Sequence, residues 1–239
     1  MQMLKAEGVK KSFGGLTAVD GVDFDVEQGE IMGLIGPNGA GKTTFFNLIS
    51  GAIPLDSGTI VFNGKKISGR KPHQICHLGI GRTFQTAKNF PGMSVRENAN
   101  MGALFGTKGE ARKRAVQDVD NILDFVGLRE YQDRHIPDLT LAAQKRVEVA
   151  RALATKPTLL MLDETMAGLN PTEVEEAMEL VRKIRDSGIT VIMIEHVMRA
   201  IMSICDRIVV LHHGAVIAAG NPEEISTNSA VVEVYLGHG

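Results

Sequence analysis

The chain has 239 residues, 44% hydrophobic and 23% charged, and its 26 basic and 28 acidic side chains leave a formal charge of -2. That length can bury a substantial core as one large domain, or one domain with an inserted lobe, and a balance so near neutral gives no sign of a nucleic-acid partner. Cys76 and Cys205 lack zinc-like or CxxC spacing and read as free thiols in a reducing compartment, MQMLKAEGVKKSF lacks the apolar core of a signal peptide, and the longest apolar runs, such as VIMI at 191–194, are strand-sized.

Short strand-like segments come first: LKAEGVKKSF, TAVDGVDFDV, EIMGLI running into glycine, and later GTIVFNGKKI. A helix, TTFFNLISGA, follows the glycine-rich stretch. From about Lys88 to Thr155 the sequence turns helix-compatible, with the charges of EARKRAVQDVDNILDFVGL spaced around Val116, Val119, Leu123 and Val126. Beyond Pro157, strands and helices alternate: TLLMLD, PTEVEEAMELVRKIRDSG, TVIMIE, a helix through MRAIMSIC, then DRIVVLHHGAVIAAG. The long helix carries its own limits, since Asn170 can cap it, Pro171 suits its first position, Glu173 its first turn, and Gly188 its end. Such alternation predicts a largely parallel sheet flanked by helices, with the helical stretch inserted between its two halves.

GPNGAGKTT, residues 36–44, matches GxxxxGK[ST] directly after an apolar strand and directly before a helix. Its glycines let the backbone wrap an anion with successive N–H groups inward, and the helix N-terminus adds positive potential. Lys42 would reach β- and γ-phosphates, and Thr43 would offer its hydroxyl to Mg²⁺. TLLMLDE, residues 158–164, describes a buried parallel strand whose carboxyl end opens on a site. Asp163 would hold the metal through water, and Glu164 would orient and polarise the attacking water. Three single residues extend the set: Gln85 of GRTFQ near metal and water, His196 after TVIMIE with a ring N–H toward the γ-phosphate, and Phe13 stacked on a purine. Taken alone, each has a plainer reading as surface, structural or core residue. Two features carry no chemistry here: PHQICH, with His73, Cys76 and His77 but no evident fourth ligand, reads as a solvated helix face, and His212–His213 as a hairpin turn.

With KSFGGLTAVDGV, GPNGAGKTTFFN, GIGRTFQ, AGLNP, IEHVM and the terminal PEEI and VEVYLG, the chain resembles over essentially its whole length the nucleotide-binding subunit of an ATP-binding cassette (ABC) transporter. Within that family it is most similar to the ATPase subunits of branched-chain amino-acid importers. The resemblance implies an α/β fold with a P-loop ATPase core of ABC type, an N-terminal antiparallel β portion and an inserted helical lobe. Residues 1–87 and 156–239 would form the core lobe, and 88–155 the helical lobe. It implies ATP and Mg²⁺ as ligands, with Asn38, Gly39, Ala40, Gly41, Lys42, Thr43 and Thr44 around the phosphates and Phe13 on the adenine. Thr43, Gln85 and Asp163 would serve the metal, and Glu164, His196 and Gln85 catalysis.

The family clamps each ATP with a loop, usually Leu-Ser-Gly-Gly-Gln, of a second copy, and LTLAA at 139–143 occupies its place before the basic helix QKRVEVARALA. Thr140 can replace the Ser hydroxyl, whereas Leu141 and Ala142 stand where glycines are usual and Ala143 removes the glutamine. Thr165 and Asn170 likewise replace a proline and an aspartate. Backbone N–H groups survive, but Cβ atoms restrict their approach. The implied partners are a second cassette, identical or different, arranged head to tail, membrane permease subunits and an external solute-binding protein. The implied place is the cytoplasmic face of the membrane. An exporter ATPase for lipid or lipopolysaccharide, a soluble cassette acting on ribosomes or DNA, and a regulatory cassette of low turnover are the competing readings.

Overall fold

The computed structural model of the chain describes residues 1–84 and 89–236. In chain order the first elements are β1 (Gln2–Phe13), β2 (Leu16–Glu27), β3 (Ile31–Ile35), α1 (Lys42–Ile49), β4 (Ser57–Phe62) and β5 (Lys65–Lys66). Then come α2 (Pro72–Cys76), β6 (Ile80–Arg82), α3 (Val95–Gly106), α4 (Gly109–Gln117), α5 (Val119–Phe125) and α6 (Leu141–Ala154). The rest are β7 (Leu159–Asp163), α7 (Pro171–Asp186), β8 (Thr190–Ile194), α8 (Met198–Ile204), β9 (Arg207–His212), β10 (Ala215–Gly220), α9 (Pro222–Thr227) and α10 (Ser229–Leu236).

Two sheets organise them. A four-stranded antiparallel sheet has the order β2-β1-β4-β5, and a six-stranded sheet the order β10-β9-β3-β8-β7-β6, parallel except at its β10 edge. The parallel strands are buried on both faces, which is why they read as continuous apolar runs. Alternate side chains serve different cores. Met32, Leu34, Met161, Ile192, Ile194 and Val209 face α1 and the antiparallel sheet. Ile31, Ile35, Leu160, Leu162, Val191, Met193 and Val210 face a second core shared with residues of α3, α5, α6 and α7. In β3 that second face has no room at Gly33, where a Cβ would lie 3.0 Å from Cys205 Sγ.

The long helix α7 starts as its sequence predicts. Asn170 accepts the Glu173 N–H at 3.0 Å while Glu173 reaches back to the Asn170 N–H at 3.0 Å, with Pro171 in the first turn. Two expectations change. The helix-compatible stretch expected to set Val116, Val119, Leu123 and Val126 on its apolar side is divided at Asp118, which is held by an ion pair with Lys156 and a 2.6 Å bond from Asn121. Ala115 rather than Val116 is buried ahead of it, in helical phase with buried Val119, Leu123 and Val126 beyond it. The second change is at residues 139–143. Leu141, Ala142 and Ala143 do not form a loop before the basic helix; they are its first turn. Thr140 is the N-cap, its Oγ1 accepting the Ala143 N–H at 3.3 Å. Leu and Ala are strong helix formers where glycine is not, and Thr can cap.

Candidate functional site

Parallel pairing brings the carboxyl ends of β3, β8 and β7 side by side, with Leu34 opposite Ile194 and Ile194 opposite Asp163. β3 leads into the glycine-rich loop, β7 into Glu164, and β8 into Glu195 and His196. The switch of strand order around such ends is where open α/β sheets bind ligands.

The loop is shaped by backbone-to-backbone contact. Gly36 has φ 151° and Gly41 φ 101°. A Cβ at these positions would lie 2.1 Å from the Leu211 carbonyl oxygen and 2.3 Å from that of Ala18, respectively. No other residue type fits either place. Lys42 begins α1 buried, its Nζ donating to the carbonyls of Gly36 at 2.7 Å and Pro37 at 2.9 Å. Burial lowers the pKa of this ammonium, and the carboxylates of Glu164 and Asp163 oppose the shift. Its charge is thus stored inside the loop that an anion would enter.

A cavity of about 520 Å³ opens there, lined by Asn38, Gly39, Ala40, Gly41, Lys42, Thr43 and Thr44 together with Phe13, Glu164 and His196. Phe13, the last residue of β1, is 49% exposed, so its ring is a wall of the cavity rather than part of the core. Lys11 Nζ lies 5.4 Å from that ring. Thr140, Leu141, Ala142 and Ala143 are absent from the lining of this cavity. Leu141 is 46% exposed and faces Gly168, where a Cβ would come within 3.2 Å of its Cδ2. Gln85 lies outside the described residues.

Asp163 is buried and asymmetrically held. Its Oδ2 accepts from Arg82 Nη2 at 3.0 Å and its N–H donates to Thr83 Oγ1 at 3.0 Å. Its Oδ1 is buried with no partner among the described residues. Burial pushes the carboxyl above its ordinary range, and the Arg82 guanidinium works against that shift. A buried carboxylate oxygen without a partner among the described residues suits a hard cation such as Mg²⁺, and Thr43 lines the neighbouring cavity. Arg82 also donates to Asn47 Oδ1 at 2.7 Å and Ser50 Oγ at 2.8 Å, tying α1 to the end of β7.

Glu164 adopts φ 52°, a left-handed conformation that costs a non-glycine residue about 1–3 kcal/mol. Its neighbours offset this: Met161 and Leu162 are buried, each worth about 1.5–3 kcal/mol. The Glu164 N–H donates to the Ile194 carbonyl at 2.9 Å, and its own carbonyl accepts from Lys145 Nζ of α6 at 2.8 Å. Held so, its Oε1 lies 2.8 Å from His196 Nε2. A carboxylate paired with an imidazole at the mouth of a phosphate-sized loop can accept a proton from water and hold an anion nearby.

Three participants escaped sequence reasoning. Arg82 had a signal, an arginine at a strand end inside GIGRTFQ. Lys145 had only its place in a basic helix. His213 sits in the β9–β10 turn at φ 47°, as the hairpin reading expected, yet it also lines the cavity. That turn is pinned to the loop through the Gly214 N–H donating to the Ala40 carbonyl at 3.1 Å. His77 Nε2 lies 3.1 Å from the Phe105 carbonyl, and among the described residues no group of three or more His, Cys, Asp or Glu side chains could hold a metal ion.

A strand-end site of this build on this sheet order defines a nucleotide-binding cassette, and comparison with known proteins agrees. The ABC transporter family profile matches residues 19–167, and that of the branched-chain amino acid ATP-binding cassette transporter matches residues 215–239. The high-affinity branched-chain amino acid transport ATP-binding protein BraF of Pseudomonas aeruginosa is 39% identical, over 98% of both chains. A solved ATP-binding cassette of an ABC transporter in its ADP conformation superposes with a TM-score of 0.91 at 32% identity, covering 100% of both chains. A bacterial ABC transporter cassette solved as a dimer gives a TM-score of 0.81 at 26% identity over 92% of this chain and 99% of its own. The chain belongs to the ABC transporter family. It is an ATP-binding and ATP-hydrolysing subunit of such a transporter, and no described helix is long and apolar enough to cross a membrane.

Proposed function

We propose that this ATPase powers import of branched-chain or related amino acids through separate permease subunits, working on the inner face of the cell membrane with an external solute-binding protein. The observation that carries the import reading is the match of residues 215–239 to the branched-chain cassette profile, outside the region common to ABC proteins. Within the site, Phe13 stacks on adenine, Asn38 to Thr44 cradle the phosphates, and Lys42 leaves its carbonyl partners for the β- and γ-oxygens. Thr43 and Asp163, with Gln85, would hold Mg²⁺, which would supply positive charge to offset the charge of the phosphates. Glu164 accepts the proton of the attacking water, and His196 orients Glu164 and meets the γ-phosphate. Residues 88–155 act as a separate lobe that carries the start of α6.

The site also calls for a second cassette. Thr140 to Ala143 stand apart from their own cavity, so this helix N-terminus, where the Leu141 and Ala142 N–H groups have no partner among the described residues, serves the ATP of a partner arranged head to tail. Thr140 accepts a bond as N-cap and still has its hydroxyl proton to donate. Loss of the gene should abolish uptake of radiolabelled leucine, isoleucine or valine, and wild-type protein but not Glu164→Gln should restore it. Unchanged uptake of all three, with a defect in lipid or lipopolysaccharide export instead, would overturn the import reading.

A further inference from the structure

Glu195 is a buried acid to which the reading above gives no task. It is 2% exposed and lies between the last residue of β8 and His196. Its Oε1 accepts the Met166 N–H at 2.7 Å and the Thr165 hydroxyl at 3.3 Å, and the His196 N–H also faces the carboxylate. Its Oε2 is buried without a partner among the described residues. Leaving half of a carboxylate unsatisfied in the interior is costly, so its other half must do something a neutral packed residue would not.

The position says what that is. Backbone pairing of β7 with β8 ends where the Glu164 N–H donates to the Ile194 carbonyl. At Glu164 itself the backbone turns left-handed and the chain leaves the sheet. Beyond that point the tie between the two strand ends is a side chain: Glu195 takes the Met166 N–H in place of the missing ladder bond. From the other side, Lys145 takes the Glu164 carbonyl. The turn Glu164–Met166 is gripped at both ends, and its first residue points its carboxylate at His196, the neighbour of Glu195.

We propose that Glu195 is a positioning residue for hydrolysis: by fixing the Thr165–Met166 backbone to the end of β8 it holds Glu164 in the left-handed conformation that meets His196. This rests on the roles given to Glu164 and His196, and the test separates the two. Glu195→Leu fills the space without an acceptor, Glu195→Gln keeps an acceptor at the Oε1 position, and Glu195→Asp keeps the charge but shortens its reach. In the assembled transporter, Glu195→Leu and Glu195→Asp should lower kcat about tenfold to hundredfold, the loss of one charge-assisted hydrogen bond, while Glu195→Gln should recover most of it. ATP affinity of the purified chain, by calorimetry, should stay within about twofold in all three, because none touches the nucleotide. Hydrogen exchange at the Met166 amide, followed by NMR, should speed in the Leu and Asp variants and not in Gln. Wild-type kcat and amide protection in Glu195→Asp would overturn the proposal, as would a joint loss of ATP binding and kcat in the Gln variant. A Glu164→Gln control at the wild-type rate would instead sink the role of Glu164, whatever the Met166 amide does.

Discussion

The glycine-rich loop at 36–41 and the start of α6 both offer backbone N–H groups at a helix N-terminus, yet they are built in opposite ways. At 36–41 the chain is pressed against other backbone: Gly36 against the Leu211 carbonyl and Gly41 against that of Ala18. Only glycine fits there, and the loop stays irregular. At 140–143 nothing of the kind constrains the chain. Leu141 is largely exposed, Thr140 caps, and residues that could have been a glycine loop join the helix. A missing glycine therefore means different things at the two places. In the first it would destroy a site; in the second it converts a loop to a helical turn whose N–H donors persist.

The comparison predicts its own largest effect at Gly41→Ala. Left-handed strain and a clash with the Ala18 carbonyl should together exceed about 3 kcal/mol, lowering ATP affinity more than about hundredfold by calorimetry. Near-normal affinity would mean that the contact with Ala18 does not dictate the loop. Lys42→Ala comes next: it removes the stored cation and should cost about 1.5–3 kcal/mol of ATP binding, roughly ten- to hundredfold, in the same measurement. Unchanged binding would break the phosphate-loop assignment itself.

Smaller effects sharpen the other side. Ala142→Gly should loosen the first turn of α6 and let its backbone approach the γ-phosphate of a partner cassette. The gain of one better-formed bond against added backbone freedom leaves about a few-fold to tenfold tighter ATP-driven pairing. The pairing is read between matched Glu164→Gln proteins, and unchanged or weaker pairing would show that the helical start already fits its target. Thr140→Ala should cost about 1 kcal/mol of stability through the lost cap, visible as a fall of roughly 2–4 °C in Tm. A Tm equal to wild type would mean the cap bond to Ala143 contributes nothing.

Wherever a shape is local to a few consecutive residues, the sequence by itself determined it. GPNGAGKTT specifies a tight glycine loop around a buried cation because glycine freedom, Lys42 and a helix start all lie within nine positions. TLLMLDE specifies a buried strand with acids at its exit, and Asn170, Pro171 and Glu173 specify where α7 begins. The tertiary structure alone decided what comes from distant segments. Arg82 reaches Asp163 across 81 residues because β6 pairs with β7, and Glu195 reaches Met166 across 29 because β8 lies on the other side of that strand. His213 enters the cavity because the β9–β10 turn folds over the loop. Asp118, between α4 and α5, pairs with Lys156 across 38 residues, and the helical start of α6 rests on a cap whose strength periodicity does not reveal. Residue pattern encodes which face of an element is apolar, but strand order decides which charged ends meet, and in the interior an electrostatic partner is worth far more than any local preference.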